Sequence, residues 1–235
     1  MDFYLYILLL VTVVLSVVAQ VRVSSTFKKY SRTPTVSGRS GAEIARRILD
    51  ASGLYDVRIE RIGGELTDHY DPRGRVLRLS QSVYSSSSAA AVGVAAHEVG
   101  HAIQHAEGYT PLVIRSKLVP AVNFSSRFSW ILILLGIIIT SFSTLLSEVG
   151  SYILFGGIVL FAVTTLFHLV TLPVELNASR RALSALGNTG LFSDGDLSSS
   201  KKVLSAAAMT YLAALAVSAI QLLRLIIMFT RTRRD

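Results

Sequence analysis

The sequence predicts a small α+β domain built around one long helix, integrated with a helical membrane part of three to four transmembrane helices. Three observations predict it. Four stretches approach or exceed the roughly 20 apolar residues that cross a bilayer: residues 3–21, 130–146, 152–172 and 206–229. Hydrophobic residues make up 51% of the 235 and charged residues only 16%, with a mean hydropathy of +0.53. Soluble chains carry about 25% charged residues, so an ordinary soluble protein, a disordered chain and collagen are excluded. Finally, residues 23–129 carry the caps, turns and alternating patterns of a folded domain.

Residues 1–22 read as an N-terminal transmembrane anchor. There is no basic segment before the apolar run and no small-residue cleavage site after it, as a removable signal peptide requires. Within 23–129, Ser40-Gly41-Ala42-Glu43 has the form of a capping box, in which each side chain bonds the other residue's backbone. The helix it opens buries Ile44, Ile48 and Leu49, and Gly53 ends it. Tyr55, Val57 and Ile59 alternate with polar residues as in a strand. Val76, Leu77 and Leu79 follow the Pro72-Arg73-Gly74 turn as a second strand, available to pair with an extended peptide or else an ordinary core strand. An Ala-rich helix occupies about 87–107. Residues 130–172 form a transmembrane hairpin, its turn made by residues 147–151. Residues 173–204 read as a helix starting near Pro173 and a loop, and 205–235 as an apolar, spanning helix with a basic tail.

There is no cysteine, so disulfides and thiolate metal sites are excluded and any metal is held by His, Asp or Glu. Lys and Arg number 23 against 15 acids, a formal charge of +8. In so apolar a chain this excess points to membrane topology and not to nucleic acid. Basic residues follow the first span and flank the hairpin, whose turn carries only Glu148. That places 23–129 and 173–204 on the cytoplasmic side. Arg231, Arg233 and Arg234 run against this orientation if the fourth stretch spans.

The Ala-rich helix contains His97-Glu98-Val99-Gly100-His101. Positions i and i+4 share a helix face, so two imidazoles can meet one ion at about 2.0–2.1 Å. The intervening Glu98 falls where it can take a proton from a water. The alternative is a buried helix with satisfied histidines. Hydrolytic zinc sites use a third protein ligand. His105 is one further turn along, about 6 Å from His101 by helical rise, and reads as a surface or supporting residue. Glu107 points away from that face, Glu148 lies in the hairpin turn, and Asp194 and Asp196 suit a helix start. Glu175 remains, a carboxylate at the end of an apolar stretch, expensive there unless paired or bound to a metal. Its plainer roles are to cap its helix or to pair with Arg180.

Three segments together resemble a known family: the helix from Ala95 to His105, Asp68-His69-Tyr70-Asp71-Pro72-Arg73 upstream, and Leu172-Pro173-Val174-Glu175 followed by Ala178-Ser179-Arg180-Arg181-Ala182. They look like the YugP-type membrane zinc metallopeptidases of bacteria, a neutral zinc metallopeptidase family distantly similar to HtpX-like gluzincins. The resemblance covers nearly the whole chain. It implies a gluzincin-like catalytic domain and one zinc ion held by His97, His101 and Glu175, with Glu98 as general base. It also implies a multi-pass protein of a bacterial cell membrane; the basic residues put the active site on the cytoplasmic side. The chain departs from the family pattern at Asn177, where an Asp often stands. Asn177 can orient a neighbour but adds no charge.

Arg180 and Arg181 are the candidates for stabilising an oxyanion, and His69 and Tyr84 are further donors. The expected partners are a peptide or membrane-protein substrate and the lipid bilayer, with a role in membrane protein quality control by analogy. The competing function is a zinc-binding membrane scaffold without catalysis, against which the intact Glu98 argues.

Overall fold

A computed structural model describes residues 2–142 and 145–232; Arg233 and Arg234 lie outside them. The elements run α1 (Asp2–Tyr30), α2 (Gly41–Ala51), β1 (Arg58–Ile62), β2 (His69–Asp71), β3 (Val76–Ser80), α3 (Gln81–Tyr84), α4 (Ala89–Ala106), α5 (Thr110–Phe142), α6 (Ser147–Asn188) and α7 (Asp194–Thr232). The protein is mostly helical with one three-stranded sheet. Among the described residues, four helices are long and apolar enough to cross a membrane, α1, α5, α6 and α7.

The chain divides into two compact units. One comprises Met1–Val17, Ile114–Leu172 and Tyr211–Asp235. Within it, α5 and α6 form the expected hairpin, but residues 147–151, expected as its turn, open α6 instead, where Glu148 suits a helix's first turn; small residues set the hairpin's spacing. A Cβ at Gly136 would come within 2.5 Å of the Leu154 backbone nitrogen, and one at Gly157 within 2.8 Å of the Ile133 nitrogen. Close backbone approach of this kind is how membrane helices gain contact where lipid offers no hydrophobic drive. Ile133, Leu154, Ile158, Phe161 and Leu225 pack beside it.

The other unit comprises Val18–Val113 and Pro173–Thr210. Its core joins one face of α2 (Ile44, Ala45, Ile48, Leu49) to Val92, Ala95, Ala96, Val99 and Ala102 of α4, and to Ala182 and Leu186 of α6. The capping box at α2 is present in full: Ser40 Oγ accepts from the Glu43 amide, and the Glu43 carboxylate accepts from the Ser40 amide at 2.8 Å. Ser88 caps α4 by accepting from the Ala91 amide at 3.2 Å.

The sheet order is β1-β3-β2, with β1 parallel and β2 antiparallel to β3. This corrects one expectation. The strand at Val76–Ser80 is the central strand, paired on both sides, so it has no free edge for a substrate. The strands with a free edge are β1 and β2.

A second correction concerns Pro173. No new helix begins there: α6 runs unbroken for 42 residues from Ser147 to Asn188, with Pro173 inside. Proline removes one backbone donor, and long apolar helices tolerate it where neighbouring groups satisfy the freed carbonyl. The carbonyl it frees is that of Leu169, one turn back.

Candidate metal centre

The site forms between α4 and the part of α6 that follows Pro173, all within one compact unit. His97 and His101 stand one turn apart on α4, their rings edge to face with centroids 4.8 Å apart. Glu175, only 2% exposed, faces both from α6. Its Oε2 lies 3.2 Å from His97 Nε2 and 3.5 Å from His101 Nε2. One ligand atom from each of the three residues falls within 4.8 Å of the others.

The helices can approach this closely because α4 has no side chain at the crossing. A Cβ at Gly100 would sit 2.5 Å from the Ala178 carbonyl oxygen. Glu175 is one turn before Ala178, and His101 is next to Gly100. The same glycine contact therefore fixes the distance between the histidines and the carboxylate.

Orientation is fixed by a chain of hydrogen bonds anchored at Arg181 and at the Val174 carbonyl. A guanidinium can only donate. Arg181 Nε lies 2.7 Å from the Asn177 side chain, so the Asn177 atom facing it is the accepting Oδ1. Gln104, fully buried, donates through Nε2 to that oxygen and to the Val174 carbonyl, both at 2.9 Å. Gln104 Oε1 is then left to accept from His101 Nδ1 at 3.0 Å. A neutral His101 with its proton on Nδ1 presents a bare lone pair at Nε2, towards Glu175. His97 Nδ1 is similarly engaged by Ser179 Oγ at 3.1 Å.

Glu98 is buried, and its Oε2 accepts a hydrogen bond from the Tyr70 amide of β2 at 3.0 Å. Burial raises its pKa above the ordinary glutamate range; the charges of His97 and His101 oppose the rise, and those of Glu175 and Asp68 add to it. For His101, burial opposes the charged form, but hydrogen bonding to Glu175 and the charge of Glu98 carry its pKa upward.

A family of proteins described as "Putative neutral zinc metallopeptidase" matches residues 5–230 of the sequence. The chain belongs to this family. It is 49% identical over 222 residues to a Bacillus subtilis (strain 168) protein named "Putative membrane protease YugP", covering 94% of each chain. No solved structure matches it. Family membership supports a metallopeptidase role and a place in a membrane, and it implies zinc. The residues fit that ion. The Nε2 atoms of His97 and His101, the latter bared by the Nδ1 bond to Gln104, and one carboxylate oxygen form the nitrogen and oxygen donor set that zinc takes in hydrolytic sites.

The other residues singled out in the sequence lie elsewhere. Arg180 is exposed and makes no ion pair or hydrogen bond among the described residues, so it is not the partner of Glu175. Arg181 is committed to Asn177 and to Glu107, with which it forms an ion pair at 2.6 Å, and its guanidinium stacks over the Tyr109 ring at 5.9 Å. Neither arginine is brought to Glu98. His69 is exposed, with Nδ1 on the Thr67 carbonyl at 2.8 Å. Tyr84 lines an open cleft with Glu43, Arg46 and Ile59. His105 turns to the Tyr70 hydroxyl, 2.9 Å from its Nδ1, and is not part of the ligand group.

Sequence reasoning passed over Gln104, Ser179 and Tyr70. The signal for Gln104 was its position seven residues after His97, on the same helix face. Ser179 stands one turn after Glu175.

Proposed function

We propose that this chain is a membrane-embedded, zinc-dependent endopeptidase that hydrolyses peptide bonds at the cytoplasmic membrane surface. Its α+β part is a gluzincin-like catalytic domain. The observation that carries this reading is the convergence of His97, His101 and Glu175 within 4.8 Å beside a buried Glu98. A structural metal site has no use for that second carboxylate. A zinc ion at this set supplies Lewis acidity, lowering the pKa of a water and polarising a carbonyl.

The remaining work falls to the chain's own residues. The Glu98 carboxylate takes the proton from the attacking water and returns it to the departing amine. Burial moves its pKa towards neutrality, which improves it in both roles. The Tyr70 amide holds the carboxylate in place. In the antiparallel register Tyr70 lies between His69 and Asp71, and its N–H points away from β3 to Glu98. The free edge of β2 therefore faces the site, and an extended peptide adds there by strand pairing. Placement of basic residues supports the cytoplasmic side. Substrates at that level are membrane-protein segments or membrane-proximal peptides, as in membrane protein quality control.

Zinc content and peptide hydrolysis of detergent-purified protein test this, with wild type beside Glu175→Ala, Glu98→Gln and His105→Ala. The expected result is near-stoichiometric zinc in wild type, Glu98→Gln and His105→Ala, and its loss in Glu175→Ala. Hydrolysis falls by roughly 10²–10⁴-fold in Glu98→Gln. Zinc retained by Glu175→Ala overturns the ligand set. Hydrolysis unchanged by Glu98→Gln overturns the mechanism, and zinc without any hydrolysis in wild type favours the scaffold.

A further inference from the structure

We propose a second site, independent of the metal centre: a pocket for the phosphate headgroup of an anionic phospholipid, between the polar ends of α1 and α7. A cavity of about 670 Å³ lies there, lined by Arg22 and Lys29 from α1 and by Lys201 and Lys202 from α7. The hydroxyls of Thr26, Ser198 and Ser205 share the lining. No carboxylate lines it. All four basic side chains are exposed, and none forms an ion pair among the described residues.

The geometry is that of a built site. On α1, residues 22, 26 and 29 recur at the i, i+4, i+7 spacing of one helix face; on α7, residues 198, 201, 202 and 205 do the same. Two helices thus turn their basic faces towards one space. The Tyr30 ring stands between them, 5.5 Å from Lys29 Nζ and 6.0 Å from Lys202 Nζ. These cation–π contacts hold two ammonium groups beside the cavity without neutralising them. Four like charges around one cavity repel, and an anion relieves that repulsion.

The level of the cavity in the sequence identifies the anion. The apolar stretch of α1 ends at Val21, immediately before Arg22, and that of α7 begins at Ala206, immediately after Ser205. Ala206 and Met209 continue the lining on the apolar side. The pocket therefore opens where both helices leave the hydrocarbon, at the depth of lipid phosphates. Basic pockets between spanning helices hold such headgroups. Orientation by basic residues requires only that they lie on one side of the membrane. It does not require four of them, from segments about 170 residues apart, around a single space.

The test uses the full chain, delipidated in detergent. Bound lipids are counted by native mass spectrometry, and melting temperature is followed as lipid is added. The probes are dioleoylphosphatidylglycerol, dioleoylphosphatidylcholine with the same acyl chains, and millimolar inorganic phosphate. The combined variant Lys29→Gln, Lys201→Gln, Lys202→Gln is compared with Arg47→Gln, Arg61→Gln, Arg73→Gln, which removes the same charge from exposed positions elsewhere.

Wild type and the arginine control are expected to prefer the anionic lipid by roughly tenfold or more, and the lysine variant to lose that preference. Replacing the same lysines by arginine restores it. Equal losses in the lysine and arginine variants overturn the proposal in favour of a general surface field. So does the absence of any preference in wild type. Stabilisation by inorganic phosphate that matches the lipid's reassigns the pocket to a soluble anion. None of these outcomes depends on zinc or hydrolysis.

Discussion

Substituting Gly100 by alanine separates the two halves of the metal centre without touching a ligand. The new Cβ would lie 2.5 Å from the Ala178 carbonyl oxygen, 3.1 Å from its carbonyl carbon and 3.2 Å from its Cα, where ordinary contact begins near 3.4 Å. The obstacle is backbone, so no side chain can swing aside. Helices α4 and α6 must part by about 0.9 Å at this point, and the movement passes into the 3.5 Å gap between His101 and Glu175. Overpacking of this kind costs about 1–3 kcal/mol, which for a chain of this size lowers the melting temperature by about 2–12 °C. Metal sites tolerate ligand displacements of about 0.2 Å. Zinc affinity should therefore fall by roughly 10–100-fold, as it does when a ligand's support is lost. The assay is competition with a chromophoric chelator, with melting followed in the same detergent. Gly187→Ala is the control on α6, since its nearest neighbour would be Leu197 Cδ1 at 3.9 Å. It should gain about 0.5–1 kcal/mol from helix propensity and leave zinc unchanged. A Gly100→Ala protein that melts and binds zinc like wild type refutes the reasoning.

Two further predictions concern hydrogen bonds. Gln104→Leu leaves the Val174 carbonyl and His101 Nδ1 without their partner, so we expect a loss of about 1–3 kcal/mol in stability. Zinc should bind roughly 10–100-fold more weakly, and chelator competition on Gln104→Leu checks this. Glu43 accepts from the backbone and side chain of Ser40, and these bonds hold its pKa below the ordinary glutamate value. A depressed pKa in the folded state stabilises above the unfolded value, about 4.3, and that stabilisation is lost as pH falls through the lower folded value. Amide exchange at the start of α2 should accelerate on acidification through that window, and Glu43→Gln should flatten the dependence.

What the sequence revealed was what local chemistry decides. The capping box at Ser40 and Glu43, the helix carrying His97 and His101, and the α5–α6 hairpin each follow from residues close in the chain. Strand β2 did not. Its three residues show no alternation, and it exists because His69 and Asp71 pair with Arg78 and Val76 of β3. The central place of β3 is equally non-local, since an apolar strand reads the same at an edge or in the middle. At Pro173 the local rule gave a helix start, and the surrounding apolar helix overrode it. The set of His97, His101 and Glu175 was legible as a list of residues. The bonds through Gln104, Asn177, Ser179 and Arg181 were not, because they depend on how α4 and α6 align across more than 70 residues of chain.

That alignment separates two properties a metal centre needs. Distance is set by backbone: Gly100 against Ala178 brings the histidines to Glu175. Orientation is set by hydrogen bonds: Arg181, which can only donate, fixes the face of Asn177, and Asn177 together with the Val174 carbonyl, which can only accept, fixes the face of Gln104 and with it the tautomer of His101. The two controls have different signatures. Widening the gap at Gly100 weakens zinc at every pH, because no proton is involved. Removing Gln104 frees His101 to place its proton on Nε2, where it competes directly with a metal, since ligands must bind deprotonated. Asn177 makes the same distinction. An Asp there would still accept from Arg181 and Gln104, so the chain of bonds would keep its direction and gain a charge. With Asn the direction rests on two anchors: Arg181, which orients Asn177, and the Val174 carbonyl, which can only accept and so helps to orient Gln104. Arg181, brought to neither Glu98 nor Glu175, reaches His101 only through this chain of bonds.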